Sequence, residues 1–205
     1  GFSPFKEAYG SPFTAAFDSL AVLRTMLLDS TGAPKVDAFD GRIRVDSGVV
    51  VGSFESAAVR AVFGVEALRV GKTTVERAIG RVAIANLPDS ATGLIHATVQ
   101  SLVNGALAID LATVDATLDK GRRARITASA STGDTIRVSA GAEVTWPDSA
   151  FRIALDSLSA ALGEHRWRLA APAAFRVTSG TTEVDSLVMR SDHGASAMAA
   201  GTFPE

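Results

Sequence analysis

Few groups in this chain could do covalent chemistry, and their spacing limits what that chemistry could be. Val70-Gly71-Lys72-Thr73 ends like a phosphate-binding loop. Such a loop needs another glycine five residues before the one that precedes its lysine, so that backbone amides can close around phosphate. That position is Glu66, which would set an anion against an anion site. The residues after Thr73 alternate as a strand and do not open a helix whose N-terminus could hold phosphate. Gly71-Lys72 is therefore expected to be an ordinary turn. The three histidines are His96, His165 and His193, and none has a second histidine at metal-ligand spacing. Asp192-His193 predicts no dyad, because neighbours along a strand or turn point apart. Asp46, Asp110, Asp115, Asp119, Asp134 and Asp156 fall at expected strand ends and turns, where aspartate is common on surfaces. A Gly-x-Ser-x-Gly nucleophile elbow is absent. These residues predict no enzyme, no catalytic residue, no cofactor and no metal site.

Arg122-Arg123-Ala124-Arg125 lacks interleaved aromatics and reads as a solvated strand start, or alternatively as a contact for an acidic head group. The formal net charge of −2 gives no electrostatic case for nucleic acid. With 47% hydrophobic and 20% charged residues the chain can fold, and 205 residues allow one β domain or two small ones. Aromatics are only 6%, and alanine and glycine are frequent. A core of such small residues is thin, which suits an elongated sheet. There is no cysteine, so no disulfide or thiolate metal site forms, and this fits any compartment. No apolar run approaches the ~18–20 residues that cross a bilayer as a helix. The chain starts at Gly1 without a signal peptide and ends Thr202-Phe203-Pro204-Glu205, so it is expected to be a segment whose membrane anchor, if any, lies outside it.

The elements that must position these groups divide at about residue 34. In the N-terminal segment, 1–34, Ser11-Pro12 reads as a helix start, and Phe13, Ala16, Phe17, Leu20, Leu23 and Leu27 recur at helical spacing. Asp29-Ser30-Thr31-Gly32 and Pro34 end the pattern, which predicts an amphipathic helix over 12–28. From 35 to 205 short stretches alternate apolar and polar residues, as in Arg42-Ile43-Arg44-Val45-Asp46 and Thr135-Ile136-Arg137-Val138-Ser139. Alternation at period two puts one apolar and one polar face on each strand. Ser47-Gly48 is expected to separate an Ile43/Val45 strand from a Val49/Val51 strand, and Asn104-Gly105 is the clearest hairpin signal. The expected fold is mainly β: an elongated, twisted, curled, antiparallel-rich sheet with one N-terminal helix.

A short motif recurs. Val36-Asp37-Ala38-Phe39 and Val65-Glu66-Ala67-Leu68 lie 29 residues apart, as do Leu155-Asp156-Ser157-Leu158 and Val184-Asp185-Ser186-Leu187; Val114-Asp115-Ala116-Thr117-Leu118 is a looser copy. The apolar ends are three apart and would face opposite ways on a regular strand. Either a bulge sits there or both faces are locally covered.

What covers the apolar side decides what such a sheet does. A second sheet would seal it. Left open, an apolar strip of hundreds of square ångströms must bind something. Its expected lining is Ile43, Val45, Val82, Ile84, Leu107, Ile109, Ile126, Ile136, Val138, Ile153, Leu155 and Val177.

Several stretches have a familiar spelling: Gly48-Val49-Val50-Val51-Gly52-Ser53-Phe54, Val59-Arg60-Ala61-Val62, Leu68-Arg69-Val70-Gly71, Trp167-Arg168-Leu169-Ala170-Ala171-Pro172-Ala173 and Val184-Asp185-Ser186-Leu187-Val188-Met189-Arg190-Ser191, followed by Gly194 and Gly201. Over most of residues 35–203 this resembles the repetitive periplasmic region of the TamB family, within the AsmA-like group of bacterial bridge-like lipid-transfer proteins. The resemblance implies a sheet folded along its length like a taco shell (a β-taco), its hydrophobic groove holding phospholipid acyl chains between the inner and outer membranes of diderm bacteria. It also implies a role in outer-membrane biogenesis, a place in the periplasm within an inner-membrane-anchored protein, and an outer-membrane barrel partner of the BamA-related class, as in the translocation and assembly module. The family's N-terminal anchor and C-terminal domain are not matched in this chain. The competing expectation is a structural or adhesive β-sandwich or β-repeat module with a closed core.

Overall fold

The computed structural model of the protein describes residues 11–17, 39–53, 56–87, 90–120, 122–146, 150–178 and 181–204. Every helix or strand among them is a strand, and all the strands belong to one antiparallel sheet. In chain order they are β1 (Ser11–Phe17), β2 (Phe39–Ser53), β3 (Ser56–Val70), β4 (Thr73–Leu87), β5 (Thr92–Asn104), β6 (Leu107–Asp119), β7 (Arg123–Thr132), β8 (Ile136–Thr145), β9 (Phe151–Leu162), β10 (His165–Leu169), β11 (Ala173–Thr178), β12 (Thr181–Ser191) and β13 (Ser196–Pro204). The topology is a meander. The short strands β10 and β11 share one position, because β9 and β12 each pair with both of them. Pro172, which has no N–H to give the ladder, falls in the break between them.

Among the described residues three hairpins close through a glycine and one further residue: Gly71-Lys72, Gly105-Ala106 and Gly163-Glu164. Their glycines take φ of +57°, +59° and +62°, the left-handed region that matches turn twist to strand twist. The Asn104-Gly105 hairpin thus forms with Asn104 as the last strand residue. Gly71-Lys72 is a turn leading into β4, as its flanking residues require.

Two expectations are corrected. The helix expected over 12–28 is not formed at 12–17, which belong to β1; residues 18–28 lie outside the described residues. Phe13 and Ala15 alternate as well as they recur, and pairing with Gly48 and Val45 of β2 overrides the helical period. Pro12 is tolerated because β1 lies at the edge of the described sheet. Ser47-Gly48 likewise does not separate two strands. β2 runs through it, with Asp46 as the extra residue of a bulge against both β1 and β3.

The same device explains the repeated motif. The register of β9 steps from Ser157 to Leu155 while β8 steps from Gly141 to Ala142, and that of β12 steps from Val184 to Leu187 while β13 steps from Gly201 to Ala199. In β3, Glu66 to Arg69 spans only Arg42 to Asp40 of β2. One extra residue returns both apolar ends of the motif to one face. Leu155 and Val184 are buried, Asp156-Ser157 and Asp185-Ser186 are exposed, and Leu158 and Leu187 are half-buried. Val45-Asp46-Ser47-Gly48 is a further copy that the turn reading concealed. Val114-Asp115-Ala116-Thr117-Leu118 keeps plain alternation and is not one. A related crease crosses β3 to β6, where the ladder skips Ala67, Glu76, Ser101 and Asp110. Ala67 and Ser101 take φ of +50° and +53° there. Beyond the crease the next row is Leu68, Val75, Leu102 and Ile109, each at least half-buried.

Following cross-strand partners shows how the two faces differ. One row runs Val45, Phe63, Gly80, Ala97, Val114, Ala128, Ala140, Leu158. Two residues away lies Ile43, Val65, Ala78, Val99, Ala112, Ala130, Val138, Ala160, Trp167. On the other side come Ala61, Val82, Ile95, Ala116, Ile126, Ala142, Leu155, Ala173, then Val59, Ile84, Gly93, Leu118, Ala124, Val144, Ile153, Phe175, Val184. All four rows are apolar. On the opposite face one row reads Thr98, Thr113, Ser129, Ser139, Ser159, Arg168, with hydroxyl–hydroxyl hydrogen bonds of 2.6 Å (Thr113–Ser129) and 2.8 Å (Ser139–Ser159), while Val62, Ile79, Leu94 and Leu111 stand exposed among its polar residues.

Candidate functional site

The apolar face is the candidate site. With strands ~4.8 Å apart, rows that cross eight or nine strands extend about 35–40 Å. Four rows set two residues apart add roughly 20 Å in the other direction. That is roughly 700–800 Å², against the ~300–600 Å² of the largest apolar patch on a typical monomer.

Little covers it. Among the described residues the buried hydrophobics are Ala58, Ala61, Val65, Val75, Ala124, Leu155, Ala173 and Val184, half of them alanines that their neighbours alone can shield. Val82, Ile95 and Ile126 stand in the middle strands and remain partly exposed. Between two packed sheets, side chains at such positions interdigitate and are shut off from water. Substantial contacts between elements are those of neighbours in the ladder. Ile126 is the most prominent: its flanking residues on this face, Ala124 and Ala128, and its partners Ala116 and Ala142 are all alanine.

Of the residues expected to line the face, Ile43, Val45, Val82, Ile84, Ile126, Val138, Ile153 and Leu155 fall in these four rows. Val177 pairs with Phe151 one row further on, and Ile136 with Leu162 at the opposite margin. Ile109 lies in the row beyond the crease, and Leu107, 56% exposed, ends that strand. Leu155 is the one buried member. The alanines, Phe63 and Trp167 share the face without having been singled out, because alternation marks large aliphatic residues more clearly than small ones. The ring of Phe63 lies over Gly80 and that of Phe13 over Gly48, where a β-carbon would overlap each ring.

The polar groups are spread over exposed positions. His96 Nδ1 is 2.6 Å from Asp115 Oδ1 on the polar face. Arg44 Nε meets Asp46 at 2.6 Å, and Asp110 accepts the Gly133 amide at 2.5 Å. One expectation fails at the turns. His193 Nδ1 is 2.8 Å from Asp192 Oδ1, so these adjacent residues do converge, and His193 Nδ1 lies 3.4 Å from His165 Nδ1. The Arg166 backbone N–H donates to Asp192 at 3.2 Å, and this bond, followed by the contact with His193, holds its carboxyl below the usual aspartate range despite an opposing desolvation. A register that pairs Trp167 with Ser191 brings the histidines together, and sequence spacing of 28 residues gives no hint of it.

Compared with known proteins, the chain matches no family model, no curated protein and no solved structure. None of the described helices or strands is a helix long and apolar enough to cross a membrane.

Proposed function

We propose that this chain is a segment of a TamB-like, AsmA-like conduit that shields phospholipid acyl chains in transit between the inner and outer membranes, and that it does no covalent chemistry. The observation that carries the reading is the continuous apolar face, about 35–40 Å along the stacking direction of the strands and, among the described residues, not sealed by a second layer. The spelling of the stretches quoted above supports the family assignment.

The physics of transfer fits such a face. Each methylene moved out of water gains roughly 0.8 kcal/mol, so a sixteen-carbon chain faces on the order of 12 kcal/mol in an aqueous gap. An apolar strip removes most of that barrier. Half of a ~30 Å hydrocarbon core is about one acyl-chain length, so the strip spans roughly two and a half of them end to end. Movement also requires that no position bind much more tightly than the next. Rows of alanine and valine, interrupted by single larger residues, provide shallow and similar positions. The charged head group stays in water at the margin, so no buried counter-charge is required. On this reading the protein works in the periplasm, anchored to the inner membrane by a part outside this chain, with an outer-membrane barrel of the BamA-related class as partner.

The rival reading, a structural or adhesive module, requires a sealed core, and the partial exposure of Val82, Ile95 and Ile126 weighs against it. Photo-crosslinking in living diderm cells separates the two. A photoreactive residue at Val138 or Ile109 should capture phospholipid, and one at Ser139 should not. Lipid adducts absent from both apolar positions would overturn the proposal.

A further inference from the structure

We infer that His165, Asp192 and His193 form a surface site for a late first-row divalent cation of the zinc class, clasping the turn between β9 and β10 to the turn between β12 and β13. The donor atoms of the three side chains lie within 4.8 Å of one another. Cation ligands at ~2.0–2.1 Å in tetrahedral array are separated by about 3.3–3.4 Å, by geometry alone. The two imidazole Nδ1 atoms are 3.4 Å apart, and the carboxylate oxygen is 2.8 Å from one of them. Side-chain rotations that bring the remaining Asp192–His165 separation, at most 4.8 Å, to the same value complete three corners of a tetrahedron, and water takes the fourth.

The site is built by the sheet. His165 opens β10 and His193 follows β12, opposite each other two residues beyond the Trp167–Ser191 pair. The rings meet edge to face with centroids 4.9 Å apart. Asp192 is fixed on both sides: its amide donates to the Arg166 carbonyl at 3.0 Å, and its carboxylate accepts the Arg166 amide at 3.2 Å. Two imidazoles and a single carboxylate select zinc, nickel or copper over magnesium or calcium, which take sets of oxygen ligands. His96 with Asp115 offers only two donors and serves as an internal control.

Calorimetric titration of the metal-stripped 205-residue chain with zinc chloride tests this. One saturable site is expected, with no heat from magnesium chloride. His165→Ala and His193→Ala should each weaken binding by at least about tenfold, and His96→Ala should leave it unchanged. All three ligands are exposed at turns, and far-UV circular dichroism verifies that the variants keep the fold. Histidine ring nitrogen shifts on adding zinc should identify Nδ1 of His165 and His193. Absence of saturable zinc binding, or equal binding by the His165→Ala/His193→Ala double variant, would overturn the assignment.

Discussion

Ile126→Lys is the most telling single substitution on the apolar face. Ile126 stands among Ala116, Ala124, Ala128 and Ala142, so none of its directly adjacent residues can screen a new charge from an acyl chain lying across β7. A lysine at hydrocarbon depth costs about 2.5–3.5 kcal/mol. If the acyl chain crosses this position, the lower figure corresponds to roughly a 70-fold loss of affinity. Thr127→Lys is the matched control. Thr127 is the next residue, exposed on the polar face opposite Asp115, where a lysine meets water and a carboxylate. Binding of a fluorescent phospholipid to the purified chain, with thermal melts to verify folding, reads both variants. The reasoning predicts a large loss for Ile126→Lys and no loss for Thr127→Lys. Equal effects of the two, or unchanged binding by Ile126→Lys in a folded protein, would refute it.

Other consequences test the fold beneath the site. Gly80→Ala puts a β-carbon into the Phe63 ring and should cost ~1–3 kcal/mol in denaturant melts, whereas Gly64→Ala, with open space at that position, should be neutral or gain up to ~1 kcal/mol. Deleting Asp185 removes the extra residue of the β12 bulge but leaves Val184 and Leu187 two positions apart on one face of a plain strand, so folded protein should persist; Asp185→Asn keeps the bulge and should stay within about 0.5 kcal/mol of the parent. The Asp192 carboxyl, followed by NMR, should titrate below the ordinary value of ~3.9. Because its folded pKa is depressed, its favourable contribution is present above the unfolded value and disappears as the pH falls through the folded one. An Asp192 midpoint at or above the ordinary value would contradict the Arg166 hydrogen bond.

The strands and their chemical split were legible in the sequence because period-two alternation is a local signal. Ile126-Thr127-Ala128-Ser129 states its two faces without help from any neighbour. The spacing in Leu155-Asp156-Ser157-Leu158 posed the right alternatives, and the register resolves them in favour of a bulge. Val45-Asp46-Ser47-Gly48 misled because Ser-Gly is also turn chemistry, and only the partner strand distinguishes a bulge from a turn. Residues 12–17 misled because Phe13, Ala16 and Phe17 fit a helix as well as Phe13 and Ala15 fit a strand, and pairing with β2 decides. The His165–His193 contact depends on a register between strands distant in sequence.

The central claim is that the apolar face is open to a lipid, and cysteine scanning along β7 tests it most directly. The chain has no native cysteine, so each introduced thiol is the only one present. Cysteines at Ile126, Ala128 and Ala130 should react with a lipophilic maleimide and be protected by added phospholipid. Cysteines at Arg125, Thr127 and Ser129 should react with a hydrophilic reagent whether or not lipid is present. That period-two pattern is the predicted result; even-numbered positions closed to both reagents in the folded, lipid-free chain would mean a sealed core and contradict it.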